Sequence, residues 1–271
     1  MEKLVVTVAP TGSIPSREQN PHVPLTPREI VEDCAACVEA GASVCHIHAR
    51  DERGRPSGRL DLFREITEGL RRRTDAIIQI STGGRAGSTL EERSRRLDLR
   101  PEMASLTTGS VNFPEGVYAN PRDLVEALAS RMRELNIKPE MEIFDVSMVE
   151  GAAALVRQGL ADAPLHFNFV LGLRGALPAT IKNLLHLAET VPPGSTWTVS
   201  GIGRHQLPMA VHAILMGGHV RVGLEDNIYY RKGVPARNVD LVARVVRLAR
   251  ELGREVASPA EARRILGLSG A

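Results

Sequence analysis

Two histidines that share one face of a predicted strand are the residues most suited to chemistry in this sequence. His46 and His48 stand in the run Ser-Val-Cys-His-Ile-His-Ala-Arg, and the side chains of a β-strand alternate between its two faces. Both imidazoles therefore project to one side, while Cys45 and Ile47 face the other. Imidazole nitrogens are common ligands of zinc, so this face is a candidate for half of a metal site.

An acidic pair far downstream supplies candidate partners for the two histidines. Glu225 and Asp226 follow the last predicted strand, and Glu225 would complete a set of two imidazoles and one carboxylate. Such a set leaves one coordination position vacant, as in catalytic zinc sites, although nickel, cobalt or manganese could use the same ligands. Alternation predicts that Asp226 points elsewhere and is free to act as a base. Arg221 could hold Asp226 ionised, or it could bind a substrate carboxylate.

The elements that must position these residues follow a regular pattern, in which short β-branched runs alternate with longer amphipathic stretches. The predicted strands span residues 4–9, 43–48, 77–81, 103–107, 138–144, 165–170, 196–200 and 219–222. The predicted helices span residues 27–40, 60–73, 90–97, 121–135, 147–158, 180–190, 207–216 and 239–252. This pattern favours an α/β fold, a single (β/α)8 TIM barrel over residues 1–271, with a short C-terminal helical extension that packs on the barrel or a neighbouring subunit.

Polar or glycine residues follow every predicted strand, which is where a TIM barrel carries its active site. The run Gly201-Ile202-Gly203-Arg204 comes after the seventh strand, where such barrels often bind phosphate. Its backbone N–H groups and the guanidinium of Arg204 could bind a pyrophosphate. An ordinary tight turn between strand and helix explains the same glycines equally simply.

Composition narrows the class of partner. The formal net charge is only +2 and aromatic residues make up 3% of the chain, so a nucleic-acid-binding surface is not expected. No stretch approaches the roughly 18 apolar residues of a membrane span, and the first residues lack the pattern of a signal peptide, so we expect a cytoplasmic protein. The three cysteines are expected to be reduced. The arginine cluster at 93, 95, 96 and 100 is expected on solvated helix faces.

Five motifs together closely resemble those of the beta-keto acid cleavage enzymes. They are His-Ile-His-Ala-Arg, Gln-Ile-Ser-Thr-Gly-Gly, Ser-Leu-Thr-Thr-Gly-Ser-Val-Asn-Phe, Gly-Ile-Gly-Arg-His-Gln and Gly-His-Val-Arg-Val-Gly-Leu-Glu-Asp-Asn. The resemblance implies a zinc-dependent barrel that converts a β-keto acid and acetyl-CoA to acetoacetate and a new acyl-CoA. It also implies a homo-oligomer, for which a tetramer is one candidate.

The resemblance further implies a role for each matching residue. The matches are His46, His48 and Glu225 to the metal ligands, Asp226 to the catalytic acid/base, Arg221 to its charged partner, and Ser81 and Thr107 to hydroxyls near the substrate carboxylate or enolate. Thr108 is an equal choice to Thr107 by spacing. The same resemblance makes Gly201, Gly203 and Arg204 candidates for binding CoA.

One departure from the family pattern bears on the substrate. Members that act on an aminohexanoate resemble one another in placing a glutamate in the first βα loop, whereas this chain has Gly12-Ser13-Ile14-Pro15 there. We therefore expect a substrate with a neutral or apolar side chain, unless Glu18 reaches into the site from the same loop. Two rival functions remain at this stage: a metal-dependent hydrolase on a TIM barrel, and a non-catalytic barrel that binds CoA or an acid.

Overall fold

The computed structural model describes residues 1–84, 88–114 and 116–268. Eight parallel strands form a closed barrel, in which each strand pairs with its neighbours in sequence and the first also pairs with the eighth. These strands are β1 (Val6–Val8), β2 (Val44–Ile47), β3 (Ile77–Ile80), β4 (Met103–Thr107), β5 (Lys138–Ile143), β6 (His166–Leu171), β7 (Thr196–Gly201) and β8 (His219–Val222). The predicted (β/α)8 fold is confirmed.

Helices follow the strands and cover the outside of the barrel. They are α1 (Pro27–Glu39), α2 (Leu60–Arg73), α3 (Leu90–Ser94), α4 (Arg122–Glu134), α5 (Ser147–Arg157), α6 (Ile181–Thr190), α7 (Gln206–Met216), α8 (Asn238–Glu251) and α9 (Pro259–Leu266). Helix α1 begins where the sequence predicts, because Thr26 caps it and Glu29 returns the bond in a capping box. None of the described helices is long and apolar enough to cross a membrane.

The structure adds three small antiparallel pairs that the sequence pattern did not predict. All three lie in loops that follow the carboxyl ends of barrel strands, where they extend the rim. They join 49–50 with 56–57, 111–113 with 116–118, and 229–231 with 234–235. The predicted helix 90–97 is also shorter than expected, since α3 ends at Ser94 and a 3-10 helix, Arg95–Leu99, continues it.

Helix α9 closes the end of the barrel opposite the rim. Its Ala262 and Leu266 form one buried apolar cluster with Val5 and with the first residues of three strands, Val44, Ile77 and Met103. The predicted C-terminal helix therefore packs on the barrel of its own chain. Residues 269–271, the last of the predicted extension, lie outside the described part of the chain.

Two of the four clustered arginines contradict the expectation of a solvated surface. Arg93 and Arg96 are only 2% and 5% exposed. Each donates hydrogen bonds to backbone carbonyls of the loop that follows β3. Charge in a short helical segment suggested an outer face, but α3 and the 3-10 helix after it turn these two side chains inward beneath that loop.

Candidate metal centre

The three predicted metal ligands converge at the carboxyl-terminal rim of the barrel. Nε2 of His48 lies 3.3 Å from Oε1 of Glu225, and Nε2 of His46 lies 3.8 Å from Oε2 of the same carboxylate. One ligand atom from each residue fits within 4.8 Å of the others. His46 lies in β2 and His48 just beyond it, so the predicted shared strand face does bring both imidazoles to one place.

Two unpartnered atoms show that these residues suit a cation. Nε2 of His46 and Oε2 of Glu225 are buried and have no hydrogen-bond partner in the described part of the chain. Nδ1 of His46 donates to Oε1 of Gln79 at 2.6 Å, which leaves Nε2 with a free lone pair directed at Glu225. Two imidazoles and a carboxylate with unused lone pairs are the donor set of a catalytic divalent metal site.

Charge in the centre favours the protonation states that a metal needs. Burial and the nearby guanidinium of Arg221 lower the pKa of His46 to about 4, so this imidazole is neutral at physiological pH. Burial alone would raise the pKa of Glu225, but the guanidinium of Arg221, above all, holds it well below its usual value. Glu225 is therefore a carboxylate.

Arg221 connects Glu225 to Asp226. Its guanidinium donates two hydrogen bonds to the Asp226 carboxylate, at 2.9 and 3.0 Å, and Nη2 also lies 2.8 Å from Oε1 of Glu225. Both acidic side chains thus face the same guanidinium, which differs from the predicted alternation. Strand β8 ends at Val222, and Gly223 with its φ of +143° begins a turn, so strand geometry does not extend to the acidic pair.

Asp226 has the properties of a proton acceptor that works near neutral pH. Burial raises the pKa of Asp226 to about 6, against the opposing charge of Arg221 and with the help of the Glu225 carboxylate. A general base is most effective when its pKa lies close to the working pH. Arg221 fixes the orientation of this carboxylate and lowers its pKa, but by less than burial raises it.

A group of hydroxyls lies beside the acidic centre. Oγ1 of Thr107 donates to Oε2 of Glu142 at 2.7 Å and lies 3.4 Å from the hydroxyl of Tyr118, while the other Glu142 oxygen lies 3.7 Å from Arg221. Thr108 instead donates to the backbone carbonyl of Met148 in α5. The geometry therefore places Thr107, and not Thr108, next to the centre.

Gln79 and Tyr118 are components of this region that the sequence analysis did not assign. Gln79 could have been found, since it precedes Ser81 by two residues and therefore shares its strand face. Tyr118 lies in the unpredicted antiparallel pair, and no local pattern indicates that its ring reaches Thr107.

Gly12 makes room for Glu225, the candidate carboxylate ligand. A Cβ atom built on this residue would lie 2.3 Å from Cγ of Glu225, and its φ of +55° is a conformation that glycine adopts without strain. The loop after β1 therefore approaches Glu225 so closely that a side chain at position 12 would displace the ligand.

Two glycines of the predicted phosphate loop have structural roles. The N–H of Gly203 donates to the backbone carbonyl of Asp226 at 2.7 Å, so it holds the acidic turn in place. A Cβ on Gly201 would lie 2.4 Å from the carbonyl oxygen of His205, which gives this glycine a packing reason. Arg204 is exposed at the rim, and its guanidinium remains a candidate contact for a phosphate group.

Comparison with known proteins agrees with this architecture. The sequence profile of the beta-keto acid cleavage enzyme family matches residues 3–268. The chain belongs to this family. It is 46% identical to the 3-keto-5-aminohexanoate cleavage enzyme of Acetoanaerobium sticklandii, over 99% of this chain and 100% of that protein. It is 47% identical to the 3-oxoadipate:acetyl-CoA acetyltransferase of Cupriavidus necator, over 97% of this chain and 94% of that one.

A solved structure supports the fold. The ternary complex of ObcA with a C4-CoA adduct and oxalate superposes with a TM-score of 0.78 and covers 92% of this chain and 68% of that one. The two sequences are 24% identical, so this likeness concerns the barrel alone.

Proposed function

We propose that this member of the beta-keto acid cleavage enzyme family converts a β-keto acid and acetyl-CoA to acetoacetate and a new acyl-CoA at the rim of the barrel. The observation that carries the proposal is the convergence of His46, His48 and Glu225 next to the Arg221–Asp226 pair. A non-catalytic barrel would have no need for a buried, oriented base beside a set of metal ligands.

His46, His48 and Glu225 would hold the metal, for which zinc is our first candidate. A bound divalent cation supplies Lewis-acid stabilisation of the negative charge that develops on the keto oxygen when the C2 proton leaves. Nickel, cobalt or manganese would suit the same three ligands. Gln79 supports the site because its side-chain oxygen fixes the ring of His46.

Asp226 would remove the proton from C2 of the keto acid. Its carboxylate is held by both bonds from Arg221, so its position is fixed before the substrate arrives. The resulting C2 carbanion would then bond to the acetyl carbon of acetyl-CoA, and the CoA thiolate would leave. When that thiolate adds to C3, the C2–C3 bond breaks, and Asp226 returns its proton to C2. No covalent bond to the protein is required.

Ser81 and Thr107 would bind the carboxylate or enolate of the keto acid through their hydroxyls. Both side chains are buried, at the carboxyl ends of the neighbouring strands β3 and β4. Arg204 would contact a phosphate of CoA from the loop after β7, with Gly201 and Gly203 shaping that loop. We further propose that the protein is cytoplasmic and forms a homo-oligomer. Sedimentation of the purified protein tests the oligomeric state.

The first loop supports a substrate without an ammonium group. Ile14 is 73% exposed in this loop, and no carboxylate stands among residues 10–15. The similarity to a 3-oxoadipate enzyme shows that close relatives differ in the side chain of their substrate. We therefore propose a β-keto acid with a neutral, apolar or anionic side chain.

A substrate panel with metal analysis tests the proposal. The purified protein is assayed for its elemental content, then incubated with acetyl-CoA and either 3-oxohexanoate, 3-oxoadipate or 3-keto-5-aminohexanoate. We expect acetoacetate and the matching acyl-CoA in equal amounts, with the amino substrate turned over most slowly. Preference for the amino substrate would contradict the specificity, whereas cleavage without acetyl-CoA would favour the rival hydrolase.

Replacement of the base separates catalysis from metal binding. Asp226→Asn should lower turnover by about 100-fold or more, because general base catalysis contributes at least that much, while bound metal stays unchanged. Asp240 offers a matched control, since it also accepts two bonds from an arginine, Arg237, but lies on the surface. Asp240→Asn should leave turnover unchanged; full activity of Asp226→Asn would reject the assigned base.

A further inference from the structure

Two buried arginines lie next to the hydroxyls of Ser81, Thr107 and Tyr118. Neither arginine forms an ion pair with a carboxylate among the described residues. Arg93 donates to the carbonyl of Thr82 and to the side-chain oxygen of Asn120, at 2.7 and 2.8 Å. Arg96 donates to the carbonyls of Ser81 and Gly83, at 3.0 and 2.9 Å, and its Nε is buried without a hydrogen-bond partner. A buried charge is costly unless something nearby compensates it.

Other buried arginines of the barrel show what compensation looks like. Arg221 is surrounded by the carboxylates of Glu142, Glu225 and Asp226. Arg254, at the opposite end, donates to the carbonyls of residues 213 and 214, in the last turn of α7 where its dipole is negative, and to those of residues 217 and 218 just after the helix. Within the described part of the chain Arg93 and Arg96 have neither kind of partner. Burial together with the charge of Arg93 lowers the pKa of Arg96 to about 10, although the charge of Glu92 opposes this shift.

The two guanidiniums orient the loop that follows β3. They draw three consecutive carbonyls, those of Ser81, Thr82 and Gly83, to their own side. In a planar trans peptide the N–H points opposite to the C=O, so the N–H groups of this loop point away from the arginines. The N–H of Thr82 donates to Oγ of Ser105, and that of Gly83 donates to Oγ of Ser81 at 3.1 Å. Carbonyl oxygens that would repel an anion are thereby turned from that side.

This loop contacts the hydroxyls that we propose for the substrate carboxylate. A Cβ on Gly83 would lie 3.1 Å from Oγ of Ser81 and 3.3 Å from the hydroxyl of Tyr118. Arg93 lies over the Tyr118 ring, 5.7 Å from its centroid, and that hydroxyl reaches Thr107. The loop after β3 and the ring of Tyr118 therefore lie between the two arginines and the hydroxyls of Ser81 and Thr107.

The metal centre alone offers an anionic substrate little net attraction. A divalent cation and the Arg221 guanidinium would together only balance the charges of Glu142, Glu225 and Asp226 if all three are ionised. Arg93 and Arg96 supply two further positive charges on the side where Ser81 and Thr107 lie. In a poorly solvated region, charges several ångströms from a ligand still contribute to its binding.

We propose that Arg93 and Arg96 are positioning residues that make the site beside Ser81 selective for the carboxylate group of the β-keto acid. The inference rests on the proposed function, and it assigns to these residues an electrostatic action through the loop and no direct substrate contact. The carboxylate of the bound substrate would offset part of the arginine charge.

The test measures charge recognition by binding alone. Acetoacetate and its uncharged analogue acetoacetamide are titrated into the zinc-loaded protein without acetyl-CoA, with calorimetric detection. The native protein should prefer acetoacetate, and Arg93→Met and Arg96→Met should each lower that preference by about 10-fold, as expected for removal of one charge in a partly solvated interior. Arg93→Lys and Arg96→Lys keep the charge and should keep most of the preference.

Arg254→Met is the matched control, since it removes another buried arginine that is bonded to carbonyls, far from the rim. It should reduce stability without changing the preference. Equal weakening of both ligands in the Arg93 and Arg96 variants, or no preference in the native protein, would overturn the inference. If a methionine variant does not fold, the lysine variants still test the inference. Loss of the preference for acetoacetate over acetoacetamide in those variants would also overturn it, because they keep the positive charge. Preference for acetoacetate without acyl exchange would instead reject the proposed function alone.

Discussion

The two ends of the barrel are formed by the same eight strands but differ in the side chains that they bury. At the amino-terminal end, Val44, Ile77 and Met103 pack against α9 in an apolar cluster, and Arg254 has its donors matched by carbonyls. At the rim, the continuation of the same strands carries ionisable groups. Among the buried side-chain atoms without a hydrogen-bond partner in the described chain, six belong to this region: Thr11 Oγ1, His46 Nε2, Gln79 Nε2, Arg96 Nε, Arg221 Nη1 and Glu225 Oε2.

This difference between the two ends shows where the fold tolerates destabilising groups that a function requires. Buried polar atoms without partners destabilise a protein by roughly 1–3 kcal/mol each, so their concentration around one cluster needs a reason. A metal and an anionic substrate would supply the missing partners. At the opposite end only Oγ of Ser195, just before β7, lacks a partner among the described residues, so that end can serve as the stable support of the rim.

The sharpest way to break the comparison is to make one chemical change at both ends. Glu225→Gln removes the ligand carboxylate at the rim and should weaken metal binding by more than about 100-fold, beyond what changes outside the ligand set usually cost. Turnover should fall with the metal content. Metal titration followed by elemental analysis of the dialysed protein measures the effect.

Glu102→Gln is the counterpart at the amino-terminal end, where Glu102 forms an ion pair with Arg263 of α9. Because this pair is partly exposed, we expect a loss of only about 0–1 kcal/mol in the free energy of unfolding and no change in metal affinity. Comparable metal loss in both variants would mean that the rim is not the binding site.

Two glycines with left-handed backbones, one at each end of the barrel, allow the same comparison with a smaller expected effect on metal binding. Gly12 has a φ of +55° and touches Glu225, whereas Gly267 after α9 has a φ of +64° and open space around its Cα. Alanine at either position should cost about 1 kcal/mol of backbone strain. Only Gly12→Ala should also weaken metal binding, by about 10- to 100-fold, because it displaces a ligand without removing it. Unchanged metal affinity in Gly12→Ala would show that Glu225 adapts or is not a ligand.

Much of the framework could be predicted from the sequence because its signals are local. The bounds of β4, β8 and α2 agree with prediction, since apolar alternation and helical periodicity depend on neighbouring residues alone. The convergence of His46, His48 and Glu225 was also predictable, because the two histidines share a strand face and all strand ends of a TIM barrel meet at one rim.

The features that were missed depend on contacts distant in sequence. Arg93 and Arg96 looked like surface charges, and only the fold shows that the loop after β3 covers them. The joint orientation of Glu225 and Asp226 was missed because the turn at Gly223 ends strand alternation. Tyr118 enters through an antiparallel pair that adds an element outside the βα pattern.

A network beside the rim links its geometry to the stability of the barrel wall. Asn238, at the start of α8, accepts from the N–H of Leu224 and donates to the carbonyl of Pro10, so it joins the ends of β8 and β1. Its amide also donates to Asp33 of α1 at 2.6 Å. Burial raises the pKa of Asp33 to about 6, against the hydrogen bond from Asn238.

The smallest predicted effect is the pH dependence that Asp33 imposes. An ordinary aspartate has a pKa near 3.8, so between that value and about 6 the folded state holds a proton that the unfolded state has lost. The contribution of Asp33 to the free energy of unfolding is therefore present at low pH and is lost as the pH rises through about 6. Asp33→Asn cannot ionise, so its stability relative to the native protein should rise by about 2 kcal/mol between pH 4 and pH 7.5. Urea unfolding of metal-free samples at both pH values measures this change. If the stability difference between Asp33→Asn and the native protein is the same at both pH values, Asp33 titrates normally. The barrel wall beside the rim would then, unlike the rim itself, contain no electrostatically unfavourable carboxylate.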